Sequence, residues 1–189
     1  GGGRGATGPA ITVAAFGKHP GWDDHIEDLG LEHPRLASVK RLLYIDGIGG
    51  NVDRGTWSDL PEDERLEQFR HVFAWRFDGE HVIGRLWSSR DGKGRASYPM
   101  VVCVHGSALP LDWLMAQALP VLDELEATCR RTSEAQVVRT ALHAKAQHLR
   151  VAMKNAPATS QRRDGDIATL AQLSRCDELA PPGIYRLAY

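Results

Sequence analysis

Residues 71–105 constrain the fold of this 189-residue chain most, because they contain three apolar runs separated by turn residues. In "HVFAWRFDGEHVIGRLW", residues 71–87, apolar and polar residues alternate on both sides of Asp78 and Gly79. An Asp-Gly pair between two such runs favours a two-residue hairpin turn. The longer turn "SSRDGKGRAS" then leads to a third run with an apolar centre. We therefore predict an antiparallel meander with strands at residues 71–77, 81–87 and 98–105.

The segments on either side of the meander predict helices and two further strands. "ITVAAF", residues 11–16, is typical of a buried strand. Helical spacing of apolar residues begins at Pro34 and again in the segment from Ser58. After the meander, residues 111–131 carry an apolar stripe in which Pro120 is expected to kink or break the helix. The remaining predictions are helices at residues 133–153 and 166–179 and a last strand at 183–189.

Strands clustered in hairpins and flanked by helices predict an α+β fold with an antiparallel sheet. We expect a single domain over residues 11–189, in which residues 130–180 form a helical C-terminal extension. Residues 1–10 lack Met and are interpreted as a flexible tag or linker, so the chain is read as a possible fragment of a longer protein.

Charge and composition exclude some partners. The chain has 23 basic and 24 acidic residues and a net charge of −1, which gives no general attraction to nucleic acid. The sequence contains no run of about 18 apolar residues, so no membrane-spanning segment is predicted. The three cysteines include no C-x-x-C pair, which argues against a thiolate zinc site. Free thiols fit a reducing cytoplasm better than an oxidising compartment, and Cys103 lies in an apolar run typical of the core.

The loop in "AAFGKHPGWDDHIED", residues 14–28, has two interpretations. His19, Asp23, Asp24 and His25 are residue types that bind divalent metals, and a metal-dependent hydrolase would use them. However, H-x5-H is not an established ligand spacing, and such a site needs further ligands, for example His33 or His105. The alternative is a solvated loop whose carboxylates pair with Lys18 and cap backbone N–H groups.

The turn "SSRDGKGRASYP", residues 88–99, also has two interpretations. Its cations favour an anion or an acidic partner, whereas an ordinary glycine turn needs only charged tips. Asp91 and Arg95 flank the glycines and are predicted to bridge the turn. Gly-rich residues 46–57 match neither a phosphate loop nor a dinucleotide-binding turn. Trp75 and Trp87 are predicted to face the core, and Trp22 and Trp57 are interface candidates.

Two segments together resemble the N-terminal domain of the type VI secretion accessory proteins, the TagF/ImpM family. That family has an apolar strand running into F-x-G-K-x-P-x-x-x-D, which "AFGKHPGWDD" resembles. It later has W-R-F, a turn P-S-x-D-x-x-G-R and an aromatic-Pro pair, which resemble "WRF" and "SSRDGKGRASYP". The resemblance covers about residues 11–125. The chain departs from the pattern at Phe16, which directly precedes Gly17, and at Ser88, which replaces proline. The matching positions are Phe16, Gly17, Lys18, Pro20, Asp24, Trp75, Arg76, Phe77, Ser89, Asp91, Gly94, Arg95, Tyr98 and Pro99.

The resemblance implies a profilin- or longin-like α/β sandwich and a non-enzymatic, cytoplasmic regulator without a cofactor. Its partners would be protein components of a secretion machine or of its signalling pathway. A small-GTPase-associated scaffold is an alternative that rests on fold analogy alone. Lys18, Asp24, Asp91 and Arg95 are expected to converge. The full interaction or fold-defining cluster is Lys18, Pro20, Trp22, Asp24, Ser89, Asp91 and Arg95, and the alternative metal ligands are His19, Asp23 and His25.

Overall fold

The computed structural model describes residues 8–27, 29–30, 33–41, 70–77, 79–96, 98–157, 177–179 and 184–187. Its elements are strand β1 and helix α1, strands β2 to β4, helices α2 and α3, and strands β5 and β6. Their bounds are β1 Ala10–Gly17, α1 Pro34–Arg41, β2 Arg70–Phe77, β3 Glu80–Trp87, β4 Met100–Ser107, α2 Leu111–Arg131, α3 Ala135–Met153, β5 Asp177–Leu179 and β6 Ile184–Leu187.

The strands form one antiparallel sheet in the order β1-β4-β3-β2-β6-β5. β2 and β3 pair up to Phe77 opposite Glu80, which leaves the two-residue loop that Asp78-Gly79 predicts. Gly79 has a φ of +82°, a conformation that glycine adopts without the steric cost of a Cβ. The α+β class and the antiparallel meander are therefore as predicted.

Helices cover both faces of the sheet. α2 contacts β3 and β4, α3 contacts β1, and the two helices contact each other. Leu36 and Val39 of α1 belong to a second apolar cluster on the opposite face, with Phe73 and Trp75 of β2. Because both faces are covered, β1 and β4 are nearly continuous apolar runs and do not alternate with polar residues. Trp75 and Trp87 are buried as predicted, and so is Cys103.

α2 is one unbroken helix of 21 residues that contains Pro120. Of the two expected effects, kink or break, the helix shows no break at Pro120, because the stripe that packs on the sheet continues on both sides of it. Val121, directly after the proline, is itself buried. The predicted stripe residues are all buried, namely Leu111, Leu114, Met115, Ala118, Leu122 and Leu125.

Two described parts of the chain after residue 130 pack with the sheet, namely helix α3 and the strands β5 and β6. α3 buries Val138 and Leu149 in the same core as α2. Residues 177–179, predicted as the end of a helix, instead form β5, since they pair with β6. The predicted last strand is present as β6, which pairs with β2. The predicted helix after Ser58, the Gly-rich segment at 46–57 and Trp57 lie outside the described residues.

Within the described parts of the chain, no helix combines the length and apolar character needed to cross a bilayer.

Candidate functional site

The loop after β1, residues 18–26, is closed on itself at the sheet edge. We call it the β1 loop. The Ile26 N–H donates to the Gly17 carbonyl at 2.7 Å, and Lys18 and His25 form an isolated antiparallel bridge. The Lys18 N–H donates to the Pro99 carbonyl, 3.3 Å away, directly before β4. These bonds fix the start of the loop, and the Lys18 residue is only 5% exposed.

The second half of the site is residues 91–95, Asp-Gly-Lys-Gly-Arg, which we call the DGKGR turn. The Gly94 N–H donates to the Asp91 carbonyl at 3.0 Å, and the Asp91 N–H donates to the Arg95 carbonyl at 3.0 Å. Gly94 has a φ of +81°. A turn closed in this way favours Asp at its first position and Gly where φ is positive. The residue types at 91 and 94 thus determine the local backbone.

Asp91 connects the two segments. Its Oδ1 accepts hydrogen bonds from the Lys93 and Arg95 N–H groups, each at 2.9 Å. Its Oδ2 accepts from Lys18 Nζ at 3.0 Å and from Arg95 Nε at 2.7 Å. A carboxylate offers about four lone-pair directions, so every acceptor position of Asp91 is used. The Asp91 side chain is 0% exposed, which makes it the buried centre of the site.

Asp24 completes the predicted group of four at the surface. Lys18 Nζ lies 3.5 Å from Asp24 Oδ1, and an Arg95 terminal nitrogen lies 3.9 Å from the same oxygen. Arg95 also donates to the Asp23 carbonyl at 2.6 Å. The predicted convergence of these four residues is confirmed. We refer to Lys18, Asp24, Asp91 and Arg95 as the Asp91 cluster.

The electrostatics of the Asp91 cluster favour the charged state of both carboxylates. Burial alone would raise the pKa of Asp91, but the hydrogen bonds from Arg95, Lys18 and Lys93 outweigh it and hold that pKa far below its usual range. For Asp24, the hydrogen bond from the His25 N–H lowers the pKa most, and Lys18 and Arg95 lower it further. The cluster is therefore an ion-pair network at neutral pH.

A close backbone approach joins the β1 loop to the DGKGR turn. The Gly92 N–H donates to the Trp22 carbonyl at 2.6 Å. A Cβ at position 92 would lie 2.7 Å from Asp23 Oδ1 and 3.2 Å from the Pro20 carbonyl oxygen. Glycine at this position permits the contact, so the two segments form one continuous surface.

His19 anchors the β1 loop to the helical layer and is not available as a metal ligand. Its Nδ1 accepts a hydrogen bond from the Gly21 N–H at 2.9 Å. Nε2 therefore carries the proton and donates to the Cys129 carbonyl, 2.8 Å away in α2. Burial lowers the pKa of His19, which favours this neutral form even though the hydrogen bond to Cys129 opposes the shift.

Asp23 and His25, the other two alternative ligands, do not join His19 in a ligand set among the described residues. Both are exposed. His25 makes an edge contact with the Tyr98 ring, with centroids 5.3 Å apart. Partial loss of solvent around the His25 ring contributes most to lowering its pKa, and the charge of Lys18 adds to it.

Trp22, Pro20 and Ser89, the remaining predicted site residues, differ in their exposure and in their contacts with the Asp91 cluster. Trp22, an interface candidate, is half-buried against the main core, with Arg139 stacked 5.4 Å from its ring centroid. It therefore serves packing more than a free surface. Pro20 is exposed on the β1 loop, and its carbonyl faces the DGKGR turn. Ser89 is half-buried and makes no hydrogen bond to the Asp91 cluster.

A second polar group lies on the α1 face of the sheet, and it includes two residues that the sequence suggested only as additional ligands for the β1 loop. His33 precedes α1, Glu80 begins β3 and His105 lies in β4, and their ligand-type atoms are all within 4.8 Å of one another. The residue types were visible in the sequence. Their proximity was not, because it depends on where α1 crosses the sheet.

A scan against protein-family models and a search of curated proteins both return no match for this chain. The resemblance to the TagF/ImpM family therefore rests on the motifs described above.

Proposed function

We propose that this protein is a cytoplasmic adaptor or regulator of a type VI-like secretion system that acts through protein contacts at the β1 loop and the DGKGR turn. The observation that carries the proposal is the convergence of Lys18, Asp24, Asp91 and Arg95. Lys18 and Asp91 are 73 positions apart in the sequence. The β1 loop and the DGKGR turn, which contain them, also contain the motifs of the family resemblance. A pair of motifs that meets in space is more specific than either motif alone.

The chemistry of the Asp91 cluster favours recognition over bond-making. A general acid or base needs a proton or a lone pair that a substrate can reach. Asp91 is fully buried and its four acceptor positions are occupied by protein donors. His19 is 1% exposed and uses both ring nitrogens within the fold. Asp91 is thus committed to joining the two segments, and His19 is committed to anchoring the β1 loop to α2.

Above this buried centre, the surface offers charges of both signs. The Asp24 side chain is 75% exposed and the Arg95 side chain 51% exposed. Asp23 and Lys93 are exposed beside them. Charged groups on a rigid base suit a partner with complementary charges, whose orientation they would fix. Protein components of a secretion machine, or of its signalling pathway, are the partners that the resemblance implies.

The proposal is tested by capture of secretion components with three single variants, Asp24→Ala, Lys93→Ala and Arg95→Ala. His148→Ala is the matched control, because it removes an exposed side chain on α3 away from the site. We expect at least one site variant to weaken capture by about tenfold or more, since a few residues usually dominate an interface. The control should bind like the unmodified protein.

Two results would contradict the proposal. One is failure of the unmodified protein to capture any secretion component. The other is unchanged capture by all three site variants when their circular dichroism and urea midpoints show intact folding.

A further inference from the structure

The group formed by His33, Glu80 and His105 brings three metal-binding side chains together from three separate elements. In the sheet, Val82 lies opposite His105, and Glu80 lies opposite Ser107. Glu80 and His105 are therefore diagonal neighbours on the same face of the β3–β4 pair. The start of α1 covers them, and the His33 ring lies on the His105 ring with centroids 4.0 Å apart.

The surroundings of the His105 side chain point to a ligand. Its side chain is 0% exposed, and neither ring nitrogen has a hydrogen-bond partner among the described residues. Nε2 lies 3.5 Å from Glu80 Oε1, within ion-pair distance but without hydrogen-bond geometry. Buried polar groups in proteins nearly always have close hydrogen-bond partners, but the nearest one to this imidazole is a carboxylate oxygen 3.5 Å from Nε2, and Nδ1 has none among the described residues.

Glu80 is held in a suitable orientation by a neighbour. Arg35 Nε donates to Glu80 Oε2 at 2.7 Å, which leaves Oε1 directed towards His105. A ligating carboxylate is commonly fixed by a hydrogen bond through its other oxygen. Arg35 thus positions the carboxylate and is not itself a ligand.

We propose that His33, Glu80 and His105 bind a divalent first-row transition metal ion, for which Zn²⁺ is the probe. Two imidazoles and one carboxylate form a donor set used by zinc and by other metals of this series. The site is separate from the Asp91 cluster, and the proposal does not depend on the proposed function.

Binding requires two local adjustments. Metal–ligand bonds of about 2.0–2.2 Å place tetrahedral donors about 3.4 Å apart, so donor atoms now up to 4.8 Å apart must close in. His33 Nδ1 also accepts a hydrogen bond from the Arg35 N–H at 3.2 Å. The His33 ring must turn and release this bond to present a lone pair to the ion. The bound ion would then join the start of α1 to β3 and β4.

The experiment uses the whole chain without a histidine tag, stripped with a chelator and titrated with Zn²⁺ by calorimetry. The site variants are Glu80→Gln and His33→Asn. Gln retains an acceptor for Arg35, and Asn is a favoured residue immediately before a helix. The controls are His25→Asn in the β1 loop and His148→Asn on α3. His105 is left unchanged because its complete burial makes replacement a risk to folding.

We expect one Zn²⁺ per chain for the unmodified protein and a higher melting temperature with Zn²⁺, as for any ligand that binds only the folded state. Glu80→Gln and His33→Asn should each weaken binding by about tenfold or more. Both controls should bind like the unmodified protein. Co²⁺ should give a visible absorption band that both site variants weaken.

The proposal is overturned if the unmodified protein binds no Zn²⁺ at one ion per chain, or if both site variants bind it unchanged. Loss of binding in His25→Asn or His148→Asn would place the ion elsewhere and would equally overturn it. Circular dichroism and urea unfolding in chelator distinguish loss of a ligand from loss of the fold.

Discussion

Replacing Asp91 with Asn should destabilise the fold more than any other single charge change at the Asp91 cluster. The amide can supply one acceptor oxygen, but its NH2 group must face donors, either the backbone N–H groups or the Lys18 and Arg95 cations. Lys18 would then be a buried ammonium whose nearest carboxylate is the exposed Asp24, 3.5 Å away. A buried charge that loses its partner is strongly unfavourable.

The magnitude follows from the contacts that are lost. Two charge-assisted hydrogen bonds, at 3.0 and 2.7 Å, contribute about 1.5–3 kcal/mol each. Their sum agrees with the cost of about 3–5 kcal/mol for breaking a buried ion pair by removing one partner. For a chain of this size, that corresponds to a fall in melting temperature of roughly 6–20 °C.

Urea denaturation, monitored by tryptophan fluorescence and by circular dichroism, measures this loss. Lys18→Met and the double variant Lys18→Met/Asp91→Asn complete a double-mutant cycle. The double variant should lose less than the sum of the single variants, because the unpaired ammonium is absent from it. Asp123→Asn is the matched control. That side chain is 70% exposed and pairs with Arg85 at 3.3 Å, so its loss should cost less than about 1 kcal/mol.

The reasoning would be refuted if Asp91→Asn lowered the free energy of unfolding by no more than Asp123→Asn does. It would also be refuted if the effects of Lys18→Met and Asp91→Asn were additive, because the two charges would then not depend on each other.

Three further predictions follow from local geometry and charge. Folding lowers the pKa of Asp91, so its contribution to the free energy of unfolding is complete above the ordinary pKa of 3.8 and is lost as the pH falls. The difference in stability between the unmodified protein and Asp91→Asn should therefore shrink between about pH 5 and pH 2. A constant difference in urea titrations at acid pH would contradict this. Gly94→Ala should cost about 1–2 kcal/mol in urea unfolding for backbone reasons alone, since φ is +81° and the space around a Cβ is open, whereas Gly8→Ala, equally open, should cost nothing measurable. Burial raises the pKa of Cys103 and of Cys129 to about 12, so a thiol reagent should modify at most one of the three cysteines before unfolding, and rapid labelling of two or more in the native protein would disprove it.

The features that were predicted from the sequence are those that depend on local chemistry. Asp78-Gly79 defines a hairpin turn, and the spacing of Asp91, Gly94 and Arg95 defines a second turn whose residues hydrogen-bond each other. The apolar stripe of α2 predicted its buried face. In each case the decisive neighbours are within a few positions along the chain, where residue type and backbone geometry are directly linked.

The features that were missed depend on distant contacts. Asp177–Leu179 is a strand because it pairs with β6 next to the meander, and its sequence alone favours a helix. The loop position of Trp22 predicts an interface residue, whereas its ring is half-buried with the Arg139 guanidinium of α3 5.4 Å from the ring centroid. The proximity of His33 to His105 depends on how α1 crosses the sheet, which no local pattern encodes.

The Asp91 carboxylate, together with the bonds from Gly92 to Trp22 and from Arg95 to Asp23, holds the β1 loop and the DGKGR turn in one arrangement. Ordering a mobile loop at an interface costs entropy, which lowers affinity. Here the two segments are already bonded to each other in the free protein, so a partner at the proposed interface would meet a preorganised surface. Substitutions that loosen this anchor should therefore slow recognition and shorten the lifetime of a complex even when the contacting side chains are intact.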